Sequence, residues 1–464
     1  MSEVTRDLAS FAVRSTAADI PAAVSQRVHA HTLDTIGAVV VGAGQPWTDA
    51  VRSYAVAESA PGASSAVGVR TGLRPEFAAS INATAAHGFE IDDYAIPALS
   101  HPGCVVVPTA LAVAEEVGAS NREFRTAVAI GYEIVLRLAA VTTPSLTSAR
   151  SFHVTGVLGV VGAAAVAGRL RGLDPDRMAH ALGIAASSAG GTAEFTRSGS
   201  DIKRVHAGMA AAGGIRAAGL AAHGCTAPAR SIEGERGYLR AFSVDADPAR
   251  VSAGIGQIWH TDQLAVKAYC VCGGLQAPLA GIAQILESGA PIEDIDRIHI
   301  GLDRATLAHV GSIGPRPDTL TSAQLSVHHA VATMIVMGGN DPHDYAELSG
   351  SPRRRHQVSA LAERVSVYAD EVAERNFPDR LLAQVRVDFV AAPSTSVTVA
   401  APGTPAAAMS VAQIAAKFHR LTSPILGGEA GADLLDAIDR TAGDEATVTL
   451  GAALRHIQKE ATHR

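Results

Sequence analysis

The spacing of apolar residues predicts that the first half of the chain is helical. From Pro21 to about Gly224, apolar residues recur every three or four positions, and most of the positions between them are alanine, the best helix former. Glycine, proline, asparagine or aspartate interrupts the pattern, as expected at helix ends. The predicted helices include residues 27–41, 76–87, 108–117, 122–140 and 177–188.

The pattern changes after about residue 291. Residues 292–303 (IEDIDRIHIGLD), 381–390 and 394–402 alternate in polarity like strands, and helical periodicity returns from residue 409 onward. The predicted fold class is therefore mainly α, with a large all-α domain and a smaller α/β domain. We expect the large domain over residues 1–265, the α/β domain over 266–404, and C-terminal helices over 405–464 that rejoin the large domain.

Composition excludes several classes of protein. The 464 residues are 47% apolar and 18% charged, which is typical of a globular protein with a large core. The formal net charge of -7, without a basic run, argues against a nucleic-acid partner. The acidic N-terminus lacks a signal-peptide core, and the apolar run 154–168 is shorter than the roughly 20 residues of a membrane span. We expect a cytoplasmic protein without a membrane partner, and a buried helix at 154–168 whose Gly156, Gly159 and Gly162 let a neighbouring helix approach closely.

Residues 89–103 (FEIDDYAIPALSHPG) concentrate polar chemistry in apolar surroundings. Asp92 and Asp93 could simply end a helix, or one of them could act as a general base or orient His101. A metal pair is disfavoured, because no glutamate or histidine follows the two carboxylates at helical spacing. Tyr94 adds a hydroxyl to the same stretch.

Basic side chains recur further along the chain. They are His153 in ARSFHVTG, the cluster RSGSDIKRVHAG with Arg197, Lys203, Arg204 and His206, and VKAYCVCGG with Lys267, Tyr269 and Cys272. Each could be an ordinary core or surface residue. The second cluster, however, precedes an alanine- and glycine-rich helix, and a helix N-terminus beside cations binds anions. The third lies where the two domains are predicted to meet, a common place for a ligand cleft. The four cysteines form neither a disulfide framework nor paired zinc knuckles.

The ordered set of motifs resembles one family. The motifs are HTLDTIGAVVVGA, NATAAHGFEIDDY…SHPG, GYEIVLRL, FHVTGVLGVVGAAAVAGRLRGLD, DIKRVHAGMAAAGG, SIEGERGYLRAF, VKAY..C, SAQLSVHHAVA and AAKFHRLT. Together they resemble the MmgE/PrpD family, which includes 2-methylcitrate dehydratases, cis-aconitate decarboxylases and iminodisuccinate epimerases. The resemblance implies a homodimer, no metal, flavin or nucleotide cofactor, and a site between the two domains.

The resemblance also implies roles for individual residues. The family's catalytic positions match Asp93, His101, His153, Lys203 and Lys267. Expected substrate contacts are Tyr94, Arg204, His206, Tyr269, Gln276 and His328. The sequence departs from the family at Tyr94 and Ala95, at Gln276 where relatives carry histidine, and at His328–His329 where relatives carry Pro-Tyr. These substitutions argue against methylcitrate dehydration itself, since changes at a site alter substrate shape more readily than fold.

The expected chemistry is proton transfer at a carbon next to a carboxylate of a small di- or tricarboxylate. Lys203 and Lys267 would stabilise substrate carboxylates and an enolate-like intermediate. His101 is the first candidate for general acid/base and His153 the second, while Asp93 could fix a histidine tautomer. The sequence favours a lyase, either a dehydratase or a decarboxylase. An epimerase or isomerase is the alternative, and a non-catalytic carboxylate-binding homologue is the alternative from another class.

Overall fold

The computed structural model describes residues 3–96, 100–143, 145–198, 200–444 and 449–457, except for the side chains of residues 197 and 198. Helices dominate this part of the chain, and a four-stranded sheet lies in its second half. The predicted fold class, mainly α with a smaller α/β region, is confirmed. None of the described helices is both long enough and apolar enough to cross a membrane.

The first half of the chain forms helices that share one apolar core. They are α1 (Val4–Arg14), α2 (Ala22–Gly42), α3 (Pro46–Glu58), α4 (Pro75–Ala86), α5 (Gly103–Val117), α6 (Asn121–Thr142), α7 (Ser145–Ser148), α8 (Val154–Leu170), α9 (Pro175–Ser187), α10 (Phe195–Ser198), α11 (Ile202–Ala222), α12 (Tyr238–Phe242) and α13 (Pro248–Ser252). The five predicted helices are present. The helix predicted to start at Pro108 begins at Gly103 instead, so that Pro108 lies inside it at the cost of one helical hydrogen bond.

Helix α8 occupies the centre of this core. It is buried from Val154 to Gly168, as predicted for the apolar run. Gly159 faces α5, where an added Cβ would lie 3.0 Å from a methyl group of Val105. Gly162 faces α6, where an added Cβ would collide with a methyl group of Val135. The glycines therefore allow the close helix packing that the sequence predicted.

A β-hairpin interrupts the helices and was not predicted. Its strands, β1 (Pro61–Ala66) and β2 (Val69–Leu73), are antiparallel, and Gly68 turns between them with φ 72°. Serine, glycine and arginine fill the strands, so no alternation of apolar residues marks them. The side chain of Asn82 in α4 holds the hairpin, because its amide donates to the carbonyl of Ser65 and its oxygen accepts from the N–H of Val67. The strands themselves carry no alternation from which they could be predicted.

The remaining elements are strand β3 (Tyr94–Ala95), which lies in the first half of the chain, and the strands and helices of the second half. Those of the second half that precede the last helices are β4 (Leu264–Ala265), α14 (Gln276–Glu287), β5 (Ile295–Leu302), α15 (Arg304–Val310), α16 (Leu320–Leu325), α17 (Val327–Met337), α18 (Pro342–Gly350), α19 (Pro352–Ala362), β6 (Val365–Ala369), α20 (Glu371–Asn376), β7 (Leu382–Phe389) and β8 (Thr395–Ala400). The sheet order is β6-β5-β7-β8, with β5 and β6 parallel and the other pairs antiparallel. Strands β5, β7 and β8 confirm the three predicted from alternation, and α14 and α17 pack against the sheet.

The last helices, α21 (Val411–Leu426), α22 (Gly428–Arg440) and α23 (Leu450–Arg455), contribute to the core of the first half. Lys417 of α21 is buried, pairs with Asp34 of α2 and donates a 2.9 Å hydrogen bond to the carbonyl of Ile91. Helix α21 thereby anchors the loop that carries Asp92 and Asp93. The domain boundaries at residues 265 and 404 stay predictions.

Candidate active site

A pocket of about 130 Å³ lies between the long helices, the loop after β4 and helix α15. Its polar lining includes Glu90, Tyr94, His101, His153, Lys203, Cys272 and His309. Much of the remaining wall is apolar, with Ile96, Phe152, Val154, Phe195, Leu325 and Leu381. Strand β3 pairs with β4, Tyr94 opposite Ala265, which brings residues 89–96 next to residues 266–273. The pocket is therefore built from segments far apart in sequence.

The ring of His101 is held in one orientation. Its Nδ1 atom lies 2.8 Å from the carbonyl oxygen of Asp93 and 3.2 Å from Oδ2 of Asp92. Because both neighbours are acceptors, the hydrogen-bond network assigns the proton to Nδ1. The lone pair of Nε2 is left for the pocket. His101 can accept a proton there and, once protonated, return it.

The carboxylate of Asp93 is used in the helical core rather than in the pocket. Oδ1 accepts a hydrogen bond of 2.9 Å from the N–H of Gly103, and Oδ2 accepts one of 2.8 Å from the hydroxyl of Tyr132. Oδ2 also lies 3.2 Å from Nδ1 of His31. The group of Asp93 that lies at Nδ1 of His101 is its backbone carbonyl and not its carboxylate.

The carboxylate of Asp92 contacts two histidines and one lysine of the site. Its side chain has no exposed surface, and its Oδ2 atom lies 2.6 Å from Nδ1 of His87, while Oδ1 lies 3.4 Å from Nζ of Lys267. Burial by itself would raise the pKa of Asp92, but His101, His87 and Lys267 together hold it well below its usual value. Asp92 is therefore ionised, and its Oδ2 atom faces Nδ1 of His101.

His87 lies at the centre of the histidine cluster. Its ring centroid is 4.9 Å from that of His101 and 5.5 Å from that of His153, on which it stacks. Burial, then the charge of Lys203, lower the pKa of His87 to about 3 against the opposing effect of Asp92. His87 is thus neutral at pH 7 and donates its Nδ1 proton to Asp92. Its Nε2 atom is buried and has no hydrogen-bond partner within the described ranges.

Glu90 lies between the two predicted lysines. One carboxylate oxygen contacts Nζ of Lys203, and the other lies 3.1 Å from Nζ of Lys267. Lys203 lines the pocket, whereas Lys267 is completely buried behind Glu90. Burial and the charges of Lys267 and Arg204 lower the pKa of Lys203, and the charge of Cys272 opposes this shift. Glu90 has φ 57°, an uncommon backbone conformation for a residue with a side chain.

His153 and His206 form a pair at the edge of the pocket. Their Nδ1 atoms lie 3.0 Å apart, and both side chains are buried. His153 precedes α8 and lines the pocket, but His206 lines a separate groove. Burial lowers the pKa of both rings, with a further contribution from His87 to His153 and from Lys203 to His206. Two neutral rings in this contact share one proton between their Nδ1 atoms.

Tyr94 brings a hydroxyl to the pocket wall. The hydroxyl oxygen is buried and, in the part of the chain that the structure describes, has no hydrogen-bond partner. Burial raises the pKa of Tyr94, so the hydroxyl keeps its proton at neutral pH. A buried donor without a partner is costly, and a bound polar group would satisfy it.

Cys272 and His309 form the opposite wall. Cys272 caps the helical turn Gly273–Leu275 that leads into α14, and its thiol interacts with the His309 imidazole. Burial would raise the pKa of Cys272, but His309, Lys267 and the N–H of Gly274 lower it to about 6. The thiolate in turn raises the pKa of His309. Cys272 is therefore a thiolate at neutral pH, and it faces the His309 imidazole.

Arg204 joins two segments of the chain through its side-chain contacts. Its Nε atom donates a 2.6 Å hydrogen bond to the carbonyl of Gly88, and its Nη1 atom donates to the hydroxyl of Thr321. The guanidinium carbon lies 3.8 Å from the centre of the Trp47 ring. These contacts hold the loop after α4 against α16, and Arg204 is not part of the pocket lining. The side chain of Arg197 lies outside the described residues.

Like Arg204 and His206, three further predicted substrate contacts lie away from the pocket lining: Tyr269, Gln276 and His328. The Gln276 amide donates to the carbonyl of Tyr269 at 2.9 Å, and its oxygen accepts from the N–H of Ala268 at 2.9 Å. Gln276 therefore lies outside the pocket lining and fixes the backbone of the loop that follows Lys267.

Sequence reasoning missed Glu90, His87 and the pairing of Cys272 with His309. Glu90 and His87 each lie within five residues of Asp92 in apolar surroundings, and that proximity was an available signal. Nothing near His309 in the sequence marks it, because only the packing of α15 brings it to Cys272.

One buried cluster has the composition of a metal site. Ligand atoms of His87, Asp92 and Cys104 all lie within 4.8 Å of one another. Burial, then the charges of Asp92 and Asp93, raise the pKa of the Cys104 thiol well above its usual value, and it hydrogen-bonds to Asp92. In the structure these groups take part in internal hydrogen bonds, since Nδ1 of His87 lies 2.6 Å from Oδ2 of Asp92 and the Cys104 thiol donates to the carbonyl of His101. The absence of a cofactor stays a prediction.

Known protein-family models match most of the chain. Residues 6–251 match the MmgE/PrpD N-terminal domain, and residues 269–440 match the MmgE/PrpD C-terminal domain. The chain belongs to the MmgE/PrpD family. The resemblance seen in the sequence is thereby confirmed, and the pocket lies where the two matched regions meet.

Similar proteins include several cis-aconitate decarboxylases. The chain is 28% identical over 423 residues to cis-aconitate decarboxylase of Aspergillus terreus, covering 86% of this chain and 85% of the relative. It is 28% identical over 357 residues to a cis-aconitate decarboxylase-like protein, oryM, of Aspergillus oryzae, with 72% and 74% covered. The human cis-aconitate decarboxylase is 31% identical over 246 residues, with 52% and 50% covered. At the level of the family, these matches support a lyase of dehydratase or decarboxylase type.

Proposed function

We propose that this protein is a cofactor-independent lyase that decarboxylates a small unsaturated di- or tricarboxylate. The observation that carries the proposal is the position of His101, whose Nδ1 proton is fixed by Asp92 and Asp93 and whose Nε2 atom is left for the pocket beside Lys203. An acid/base group and a cation next to an apolar wall are what this reaction requires. The names of the similar proteins support the same reaction class.

The shape of the pocket supports decarboxylation over dehydration. A carboxylate placed against Phe195 and Val154 loses its hydration, whereas the transition state spreads its charge and the CO₂ that leaves is neutral. The apolar wall therefore favours loss of CO₂.

In the proposed step, the bond between the substrate carbon and its carboxylate breaks, and CO₂ departs. The electron pair of that bond passes into the adjacent unsaturated system, giving an enolate-like anion. Lys203 stabilises this anion, and Tyr94 donates a hydrogen bond to a second carboxylate. Protonated His101 gives its Nε2 proton to the carbon and becomes neutral, while Asp92 had stabilised its charged form. One proton is consumed for each CO₂ released.

The test is the variant His101→Gln with a panel of unsaturated di- and tricarboxylates, scored for CO₂ release and for products by NMR. We expect kcat to fall by about 10²- to 10⁴-fold, because a general acid/base is removed. His180→Gln, in α9 outside the pocket lining, is the matched control and should leave turnover unchanged. Undiminished turnover of His101→Gln would remove His101 from the mechanism.

An epimerase is the second candidate, because His101 and His153 line the same pocket from separate segments and could serve opposite faces of one carbon. Incubation in D₂O distinguishes the two reactions. Deuterium exchange next to a carboxylate without CO₂ release would favour the epimerase. Absence of both across the panel would favour a carboxylate-binding homologue. The homodimer and the cytoplasmic location stay predictions.

A further inference from the structure

A second cavity lies directly behind the candidate site. It is a groove of about 750 Å³ formed by α4, α8, α9 and α11, and its lining includes Gly156, Gly190, Gly191 and His206. Of the two histidines in contact, His153 lines the pocket and His206 lines the groove. The contact between them therefore crosses the wall that separates the two cavities.

The geometry of this contact suits proton transfer. The two Nδ1 atoms lie 3.0 Å apart, and neither ring makes a second hydrogen bond among the described residues. Each ring thus has one nitrogen in the contact and an Nε2 atom left for its own cavity. The contact also depends on Gly191, where an added Cβ would lie 3.3 Å from the His206 ring. Glycine at this position lets the ring of His206 approach its neighbour.

A neutral histidine inside a closed pocket has difficulty donating a proton. If His153 gave up its only ring proton, it would become an anionic imidazolate in an apolar environment, and burying an unpaired charge is strongly unfavourable. His153 can therefore give up its ring proton only if another proton reaches the ring at the same time. His206 is placed to supply that proton.

We propose that His206 and His153 form a proton relay from the groove to the pocket, which donates the one proton that a turnover consumes whenever Nε2 of His101 carries none. His153 gives its Nε2 proton to the substrate carbon and takes the Nδ1 proton of His206. His206 then takes a proton at Nε2 from water in the groove. Both rings are neutral before and after, and one proton has passed. The reverse exchange between turnovers restores the starting tautomers: water in the pocket gives a proton to Nε2 of His153, and His206 returns one to the groove. The relay therefore supplies the proton during the reaction step, and water that enters the pocket replaces it afterwards. The relay rests on the proposed function, since that reaction consumes a proton in each turnover.

His206 is a relay residue and not a catalytic one, because it acts through His153. A purely structural role, in which the two rings only support the start of α8, predicts a loss of activity that added imidazole does not repair. The two roles therefore differ in chemical rescue, which a packing defect does not show.

The experiment compares three variants under saturating substrate. In His206→Ala, we expect kcat to fall by about tenfold with KM unchanged, and exogenous imidazole to restore it by entering through the groove. In His206→Phe, which fills the space, we expect the same loss without restoration. His223→Ala, an exposed histidine that caps the C-terminal end of α11, is the control and should behave as wild type. An unchanged kcat in His206→Ala, or a loss that imidazole does not repair, would overturn the relay.

A second measurement does not depend on turnover. In protein labelled with ¹⁵N-histidine, the shared proton should produce a scalar coupling between the Nδ1 nuclei of His153 and His206, and its absence would also overturn the relay. Failure of the proposed function looks different, because the wild-type protein would then release no CO₂ from any acid in the panel. That result would remove the proton demand and with it the relay.

Discussion

The Oε2 atom of Glu90 lies 3.1 Å from the Nζ atom of Lys267, and neither side chain is open to bulk solvent. The other oxygen of the same carboxylate contacts Lys203. One anion therefore neutralises part of the charge of two buried ammonium groups. A substrate carboxylate in the pocket would meet a cation that already has a partner, so binding involves competition with Glu90 for Lys203.

The variant Glu90→Gln should lower the stability of the protein. Removal of one member of a buried ion pair leaves the other charge unpaired, so we expect the free energy of unfolding to fall by about 3 kcal/mol. Urea denaturation measures the change. Glu371→Gln removes an exposed carboxylate 3.9 Å from Arg375 and should leave the unfolding curve unchanged. Equal curves for wild type and Glu90→Gln would contradict the charge arrangement described for the site.

Asp92 and Asp93 should differ in what their amide variants change. Asp92→Asn removes the charge that favours protonated His101, so we expect kcat to fall by about 100-fold. Asp93→Asn weakens the hydrogen bonds to Tyr132 and Gly103, so we expect a loss of about 1–3 kcal/mol of stability with a smaller effect on kcat. Turnover assays and urea denaturation of both variants separate the two effects. A larger loss of kcat in Asp93→Asn would reverse the assignment.

Tyr94→Phe should separate binding from stability. In the free protein, the variant removes a buried hydroxyl without a described partner, so the free energy of unfolding should stay constant or rise by up to about 1 kcal/mol. With substrate, it removes a donor to a carboxylate, so KM should increase. Thermal unfolding and steady-state kinetics report the two effects. If the variant were less stable with an unchanged KM, the hydroxyl would have a structural partner instead of a ligand.

Cys272 should react as a thiolate below neutral pH. Because its pKa is lowered to about 6, the rate of alkylation by iodoacetamide should rise with pH up to about 6 and level off above it. His309→Asn removes the first of the groups that lower this pKa, so the same rise should move to higher pH. Mass spectrometry of the labelled peptide distinguishes Cys272 from the exposed Cys225. A wild-type rate that is still rising at pH 8 would contradict the thiolate.

The long helices could be predicted because their signals are local. The alanine-rich apolar periodicity of α2, α6 and α8 and the alternation in β5 and β7 reflect burial on one or both faces of each element. The hairpin β1–β2 escaped prediction because its strands depend on Asn82 for support. Local pattern therefore predicted most of the architecture, and it failed where a distant side chain completes the backbone pairing.

The candidate site was predicted by residue type more than by geometry. His101, His153, Lys203 and Tyr94 were named from the sequence, and all of them line the pocket. Gln276 and Arg204 were also named, but hydrogen bonds direct them to backbone groups instead. The sequence could not show which of the two adjacent carboxylates faces His101. The directions of the Asp92 and Asp93 side chains depend on the local backbone conformation, which folding decides.

The sequence by itself determined the helical architecture, the family and the small set of titratable residues in apolar surroundings. Only the tertiary structure decided how these residues are paired: Asp92 with His101, Glu90 with two lysines, His153 with His206, and Cys272 with His309. The physical reason is distance along the chain. Helix formation depends on neighbours a few residues away, whereas the strength of a buried charge or hydrogen bond depends on atoms that only folding brings within about 3 Å.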